Sequence, residues 1–184
     1  MDSRSAVVLV TGLQGSGKST VGEAIARRLD APVFAWDWFM AALTPFDGLQ
    51  VAMNQMDARE YRAIGWALMA HAARQQLRQG SSVVLDGLAR DEEIRAVRAL
   101  AQECDVACVV TLLRCDDAEV QRARIEQRSR PIPGWHELTW DDVARARSRW
   151  VEPADVDLAL DSTHAVATLV DAVIEKVRRA GGAP

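Results

Sequence analysis

The stretch Ala6–Leu29, AVVLVTGLQGSGKSTVGEAIARRL, decides how the rest of the chain folds. Its residues 7–10 form a β-branched apolar run of the kind found in buried strands. Residues 12–19 then match the pattern G-x-x-x-x-G-K-S/T. The residues after them place apolar side chains on one helical stripe, at Val21, Ile25 and Leu29. The stretch therefore predicts a strand, a phosphate-binding loop and a helix, in that order.

The glycines and the lysine of this loop predict its chemistry. Glycine lets the backbone wrap closely around a phosphate chain, so that successive N–H groups point at anionic oxygens. Lys18 would reach the β- and γ-phosphates of ATP or GTP, and Ser19 would bind Mg²⁺. The alternative is a glycine-rich turn without a nucleotide, but the flanking strand and helix favour the nucleotide. The residues predicted to contact it are Gly12, Gln14, Gly15, Ser16, Gly17, Lys18, Ser19 and Thr20.

Composition narrows the possible classes of protein and of partner. With 184 residues, of which 49% are hydrophobic and 26% charged, we expect one folded domain spanning 1–184. The sequence contains no run of 18 apolar residues and no signal-peptide pattern, which favours a cytoplasmic protein. Three cysteines without paired spacing indicate neither a disulfide framework nor a zinc site. A net charge of −4 makes nucleic acid an unlikely partner and favours small-molecule substrates.

The rest of the chain alternates between short apolar runs and helical patterns. Such alternation predicts an α/β fold with a five-stranded, doubly wound parallel sheet. Ligands of this fold bind beyond the carboxyl ends of the strands. Asp37 and Asp86 follow two of the predicted strands, so we expect both side chains near the phosphate loop. The four strands predicted after the first are 33–36, 83–85, 106–113 and 156–160.

This layout resembles the small P-loop kinases of the adenylate, shikimate and gluconate kinase group, and most closely the chloramphenicol phosphotransferase-like enzymes. The closer resemblance is carried by Asp37 and by residues 113–116 and 156–164. It implies a P-loop NTPase fold with a short helical lid, and ATP and Mg²⁺ as cofactors. In related kinases an aspartate after the second strand accepts the proton of the substrate hydroxyl, which implies that role for Asp37. The alternative is that Asp37 caps a helix starting at Trp38.

A second resemblance concerns the stretch 86–90, DGLAR, which is similar to the Asp-Gly-Phe-Pro-Arg stretch of adenylate kinases. It implies that Asp86 holds Mg²⁺ through water. It also implies that Arg90 contacts the phosphoryl acceptor or the transferred group, although Leu88 and Ala89 depart from the adenylate kinase pattern. Alternatively, Arg90 pairs with acidic residues of its own helix.

The arginines after residue 120 resemble those of kinase lids, with Arg124 and Arg128 in an R-x-x-x-R pattern. Two arginines four residues apart on a helix share one face, so both guanidinium groups could converge on phosphate oxygens. We predict that Arg128 clamps the transferred phosphoryl group, with Arg130 as the substitute if the register differs. Arg124 would assist the clamp or stack on adenine, and the alternative is a solvated helix face. The predicted lid spans about 122–140.

Tryptophans surround the predicted acceptor side. Trp36 and Trp38 flank Asp37, and Trp135 follows the lid arginines. An aromatic wall would suit a partly apolar acceptor. The alternative is that these tryptophans fill the core of an alanine-rich protein.

Together these features predict an ATP- and Mg²⁺-dependent phosphotransferase acting on a hydroxyl of a small molecule, such as an antibiotic, a nucleoside or a sugar. One alternative is a 5′-hydroxyl polynucleotide kinase, which the net negative charge disfavours. The other is a regulatory ATPase without an acceptor. Asp37 distinguishes a kinase from a regulatory ATPase, because a regulatory ATPase needs no carboxylate that faces an acceptor hydroxyl.

Overall fold

The computed structural model describes residues 5–130 and 132–182. Pro131, which the sequence places within the predicted lid, lies outside the described residues. The strands are β1 (Ala6–Thr11), β2 (Val33–Ala35), β3 (Val83–Asp86), β4 (Ala107–Arg114) and β5 (Leu158–Asp161). The helices are α1 (Lys18–Leu29), α2 (Trp36–Ala41), α3 (Asp47–Met53), α4 (Ala58–Arg78), α5 (Asp91–Glu103), α6 (Ala118–Glu126), α7 (Trp140–Ser148) and α8 (Val166–Gly181).

The five strands form one parallel sheet in the order β2-β3-β1-β4-β5. Strand β1 pairs with β3 on one side and with β4 on the other. Its residues are fully buried, because helices cover both faces of the sheet. Val8 and Val10 pack towards α1 and α8, whereas Val7 and Leu9 pack towards α4 and α5. The predicted doubly wound fold is therefore confirmed, and all strands point their carboxyl ends at one edge.

Two segments differ from their predicted structure near that edge. The chain turns into α2 at Trp36, so Asp37 lies in the first turn of a helix and not at the end of a strand. The N-cap of α2 is Ala35, and no side chain caps this helix end, so Asp37 is not the predicted cap. The sequence of residues 44–58 shows little hydrophobic pattern, yet this segment contains α3.

The lid helix is also shorter than predicted. Helix α6 ends at Glu126, so Arg128 and Arg130 lie in irregular structure, and Arg128 does not share a helical face with Arg124. The backbone N–H of Arg130 donates to Glu137 Oε1 at 2.7 Å, a bond that replaces the one a helix would have supplied. Tertiary contacts of the two arginines have therefore overridden the local helical pattern.

No helix of 5–130 or 132–182 combines the length with the apolar character that crossing a bilayer requires. The longest helix, α4, instead packs one face against the sheet and lies beside Trp36. A Cβ on Gly65 of α4 would lie 2.3 Å from Trp36 Nε1, and one on Gly87 would lie 3.3 Å from Trp36 Cβ. Gly65 therefore makes room for this indole, whereas the atom nearest to a Cβ on Gly87 is Cζ2 of Trp66, at 3.0 Å.

Replacing Gly65 by alanine is expected to lower the free energy of unfolding. The added methyl group overlaps the indole of Trp36, and overpacking of this kind costs about 1–3 kcal/mol. The higher helix propensity of alanine offsets at most ~1 kcal/mol of that loss. Urea denaturation of the purified protein measures the change. Gly48→Ala is the matched control, since Gly48 lies in α3 and a Cβ there meets no atom within 4 Å. Equal effects of the two substitutions would contradict the packing argument.

Candidate active site

The loop between β1 and α1 presents free backbone donors. At Gly12, φ is +142° and a Cβ would lie 2.2 Å from the Leu113 carbonyl oxygen, so only glycine lets the loop pack on the end of β4. The first amide in α1 with an intrahelical bond belongs to Val21, which donates to Gly17 O at 3.0 Å. The N–H groups of residues 18–20 lack intrahelical acceptors. They make the helix N-terminus a site for an anion, as the motif predicts.

A cavity of about 760 Å³ opens beside this loop, beyond the carboxyl ends of β2 and β3. One end is charged and the other is aromatic. The charged end contains Lys18, Ser19, Asp37, Asp86, Arg128 and Arg130, and the aromatic end contains Trp36, Trp38, Tyr61 and Trp66. The structure therefore brings six residues of the predicted catalytic, metal and lid groups into one cavity.

Ser19 and Asp86 offer oxygen ligands to a metal ion. Ser19 Oγ donates to Asp86 Oδ2 at 2.7 Å. Burial raises the pKa of Asp86, whereas the charge of Lys18 and the hydrogen bond from Ser19 oppose that rise. No group of three His, Cys, Asp or Glu side chains within the described ranges could hold a metal ion by itself. A hydroxyl and a carboxylate fit Mg²⁺, which completes its shell with substrate phosphates and water.

Lys18 carries the positive charge nearest the loop. Its Nζ donates to Leu13 O at 2.9 Å. Burial lowers the pKa of Lys18, and the negative charges of Asp86 and Asp37 oppose that shift. The same ammonium group is repelled by Arg128 and Arg130, so four charged side chains act on it. A polyanionic ligand would relieve the repulsion among the three cations.

Arg128 and Arg130 supply hydrogen-bond donors that lack partners. Arg130 Nη1 forms an ion pair with Asp37 Oδ2. Glu137 Oε2 lies 3.6 Å from Arg128 Nε and 3.8 Å from Arg130 Nε, too far for hydrogen bonds. The Nε and Nη2 atoms of both arginines are buried, and none of them has an acceptor among the described residues. Since arginine stays charged, these orphaned donors fit the oxygens of a phosphoryl group.

Two of the predicted site arginines lie outside this cavity. Arg124 donates to Ser162 Oγ and Ser162 O, at 2.8 Å each, and its Nη1 lies 3.5 Å from Gly15 O on the outer side of the loop. Arg90 is exposed at the start of α5, where its backbone N–H donates to Glu93 Oε2 at 2.9 Å. The predicted contacts of Arg124 and Arg90 with ligands therefore gain no support from the structure and stay predictions.

The aromatic end is built around Trp36. Its ring lies 5.6 Å from that of Tyr61 and 6.0 Å from that of Trp135, both edge to face. Trp36 Nε1 donates to Arg62 O at 3.1 Å, so the indole turns carbon surface towards the cavity. Trp38 lines the mouth and is 51% exposed, whereas Trp135 supports Trp36 from behind the lining.

Sequence reasoning missed the contribution of α4 to this cavity. Tyr61, Arg62 and Trp66 all line it. In the sequence, residues 61, 64, 68 and 72 are at helical spacing, which predicts a helix but no ligand site. A signal was present, because Arg62 and Trp66 are four residues apart and share one face of the helix. A charged and an aromatic residue on the same inward face are typical of a ligand site.

The predicted lid segment contacts α2 and the turn after it directly. A Cβ on Gly134 would lie 2.5 Å from Thr44 Oγ1, in the turn after α2. Arg130 pairs with Asp37 and Trp135 contacts Trp36, so three residues of this segment lie against the α2 side of the cavity.

Solved structures share this fold. A gluconokinase from Sinorhizobium meliloti aligns at 21% identity and TM-score 0.67, over 95% of this chain and 92% of that one. A sugar kinase from a Janibacter species aligns at 17% identity and TM-score 0.67, over 98% and 99%. The APS kinase of Mycobacterium tuberculosis, in complex with AMPPNP and APS, aligns at 18% identity and TM-score 0.66, over 94% and 96%.

No curated protein matches the sequence. At identities of this size the structural likeness establishes the fold, which is that of the small P-loop kinases, as predicted. The narrower resemblance to chloramphenicol phosphotransferase-like enzymes stays a prediction.

A sequence profile described as an AAA domain matches residues 7–153. The matched region begins in β1 and ends shortly before β5, so it contains the phosphate loop and every residue of the charged end of the cavity. It covers well over half of the 184 residues. The chain therefore belongs to the AAA-domain family.

Proposed function

We propose that the protein is an ATP- and Mg²⁺-dependent phosphotransferase that moves the γ-phosphate to a hydroxyl of a small molecule. One observation carries the proposal: Asp37 lines the same cavity as Lys18 and Ser19 of the phosphate loop, together with two arginines whose buried Nε and Nη2 donors have no acceptor among the described residues. The AMPPNP bound to the structurally similar APS kinase supports ATP as the phosphoryl donor. Residues 1–184 would act as one kinase domain, with 122–140 as its lid.

Asp37 would hold the acceptor and take its proton. Its Oδ2 is occupied by Arg130, whereas its Oδ1 has no hydrogen-bond partner among the described residues. A hydroxyl that donates to Oδ1 would have its oxygen turned towards the phosphate loop. As that oxygen bonds to the γ-phosphorus, the bond to the bridging oxygen breaks, and the hydroxyl proton passes to Asp37. The products are a phosphate monoester and ADP.

The cations would stabilise the charge that this transfer spreads over phosphate oxygens. Lys18 and the free N–H groups at the start of α1 lie on the side of the leaving ADP. Arg128 and Arg130 offer their unpaired N–H groups to the transferred phosphoryl group. When bound, Mg²⁺ would supply further positive charge between the β- and γ-phosphates, next to Ser19 and Asp86. Arg130 also touches Asp37, so it would link the base to the group being transferred.

The aromatic end favours a neutral acceptor with a flat ring over an acidic sugar. Arg62 is the cation at this end, and it is already engaged: its Nε lies 3.5 Å from Glu93 Oε1 and its Nη1 donates to Ala58 O at 3.1 Å. A carboxylate on the acceptor would therefore find no unpaired cation among the described residues there. Carbon surface of Trp36, Trp66 and Tyr61 would instead cover a ring. Among the acceptors considered, nucleosides and aromatic antibiotics fit better than sugar acids.

An acceptor panel tests the function directly. Purified protein with Mg-ATP is incubated with a nucleoside, a hydroxylated aromatic antibiotic, glucose, gluconate or a 5′-hydroxyl oligonucleotide, and phosphorylated products are identified by mass spectrometry. We expect a phosphate monoester from a ring-bearing neutral alcohol. Release of ADP without any phosphorylated acceptor would support a regulatory ATPase instead, and phosphorylation of the oligonucleotide alone would support a polynucleotide kinase.

Replacing Asp37 by asparagine should slow transfer while leaving nucleotide binding in place. Asparagine keeps the shape and an oxygen for Arg130, but it cannot take the hydroxyl proton. Loss of a general base typically costs about 10²–10⁴-fold, and the loose transition state of phosphoryl transfer favours the lower end. Single-turnover transfer measures the loss, with the Kd for Mg-ATP measured alongside. Transfer within about threefold of the wild type would remove Asp37 from the mechanism.

Replacing Arg128 by methionine should lower kcat more than it raises the KM for ATP. The guanidinium group is expected to act on charge that develops during transfer, and loss of such a donor costs on the order of 10²-fold or more. Arg122→Met is the matched control, because Arg122 lies on the same lid but is exposed and pairs with Glu126. An unchanged kcat for Arg128→Met would assign Arg128 to a structural role.

A further inference from the structure

A buried amide lies behind the phosphate loop. Gln121 belongs to α6 and is only 1% exposed, and it shares its buried face with Ile125. Its Nε2 donates to the backbone oxygen of Gln14 at 2.6 Å, and its Oε1 accepts a hydrogen bond from Arg147 Nη1 at 2.5 Å. Both ends of the side chain are therefore bonded, one to the loop and the other to α7.

Arg147 fixes which way this amide points. An arginine donates hydrogen bonds and accepts none, so Gln121 has to turn its oxygen towards Arg147. The NH₂ group then has to face the loop. Arg147 is itself held in place, because it donates to Cys115 O at 3.2 Å and to Asp116 O at 3.0 Å after β4. The guanidinium group of Arg147 is therefore fixed by three acceptors. It in turn fixes which end of the Gln121 amide faces the loop.

The bond to Gln14 O sets the direction of the next amide. The carbonyl of Gln14 and the N–H of Gly15 belong to one planar trans peptide, in which the two groups point in opposite directions. A carbonyl drawn towards Gln121 turns the Gly15 N–H away from α6, to the side where Gln14 and Lys18 line the cavity. That N–H takes part in no hydrogen bond within 5–130 and 132–182.

We propose that Gln121 is a positioning residue for phosphate binding: held by Arg147, it orients the Gln14–Gly15 peptide so that the Gly15 N–H faces a phosphate oxygen. The inference rests on the proposed nucleotide-dependent function, and it links α7, the helix that follows the predicted lid, to the phosphate loop. The loop fits against α6 closely, since a Cβ on Gly15 would lie 3.0 Å from Gln121 Cγ. A water molecule therefore has little room to take over the bond to Gln14 O.

The substitution Gln121→Glu separates the two bonds of this side chain. A carboxylate still accepts from Arg147, so the contact between α6 and α7 is kept, but at pH 8 it cannot donate to Gln14 O. We expect the Kd for Mg-ATP, measured by calorimetry, to rise about tenfold, with the midpoint of thermal unfolding within a few degrees of the wild type. The control is Gln102→Glu, which makes the same charge change at an exposed position of α5.

Arg147→Met is the second variant, in case Gln121→Glu folds poorly. It frees the amide of Gln121 to rotate, so Mg-ATP should again bind more weakly. A Kd within twofold of the wild type for a folded Gln121→Glu or Arg147→Met would overturn the proposal, even if stability fell, because Gln121 would then be purely structural. The readout is nucleotide affinity. A protein that binds Mg-ATP but phosphorylates no acceptor would refute the proposed function and leave this test intact.

Discussion

Every peptide of a phosphate-binding loop carries both a donor and an acceptor, and only the donor can serve an anion. For each N–H that is left free to bind phosphate, the carbonyl of the same peptide therefore needs a hydrogen bond from another group. In this protein that requirement is met at the Gln14–Gly15 peptide by a side chain of another element, because Gln121 donates to the carbonyl of Gln14. Gln121 reaches the loop because α6 follows β4, and β4 pairs with β1, the strand that precedes the loop.

The sequence predicts those parts of the fold that depend on residues close together in the chain. The continuous apolar run of β1, the glycine spacing of the loop and the apolar stripe of α1 depend on residues a few positions apart. Asp37 and Asp86 were placed near the loop because the carboxyl ends of parallel strands meet at one edge. Their positions in the cavity agree with that expectation.

What the sequence does not predict depends on partners far along the chain. Arg130 is drawn out of a helical pattern by Asp37, which lies 93 residues earlier, and by Glu137. Gln121 would be a surface glutamine on α6 if Arg147 and the loop did not bond it. Its signal was a polar residue on the same stripe as buried Ile125. Trp66 lines the cavity only because Gly87 lets β3 approach it.

If the proposed function holds, the division of the candidate catalytic groups between two segments would protect ATP. Asp37 belongs to α2, whereas Arg128 and Arg130 belong to the predicted lid, which approaches Thr44 after α2. With the lid away from α2, a water molecule beside the nucleotide would meet neither the two arginines nor a base held by Arg130. Wasteful hydrolysis would then be suppressed by incomplete assembly, and an acceptor that fills the aromatic end and lets the lid close would restore the full set.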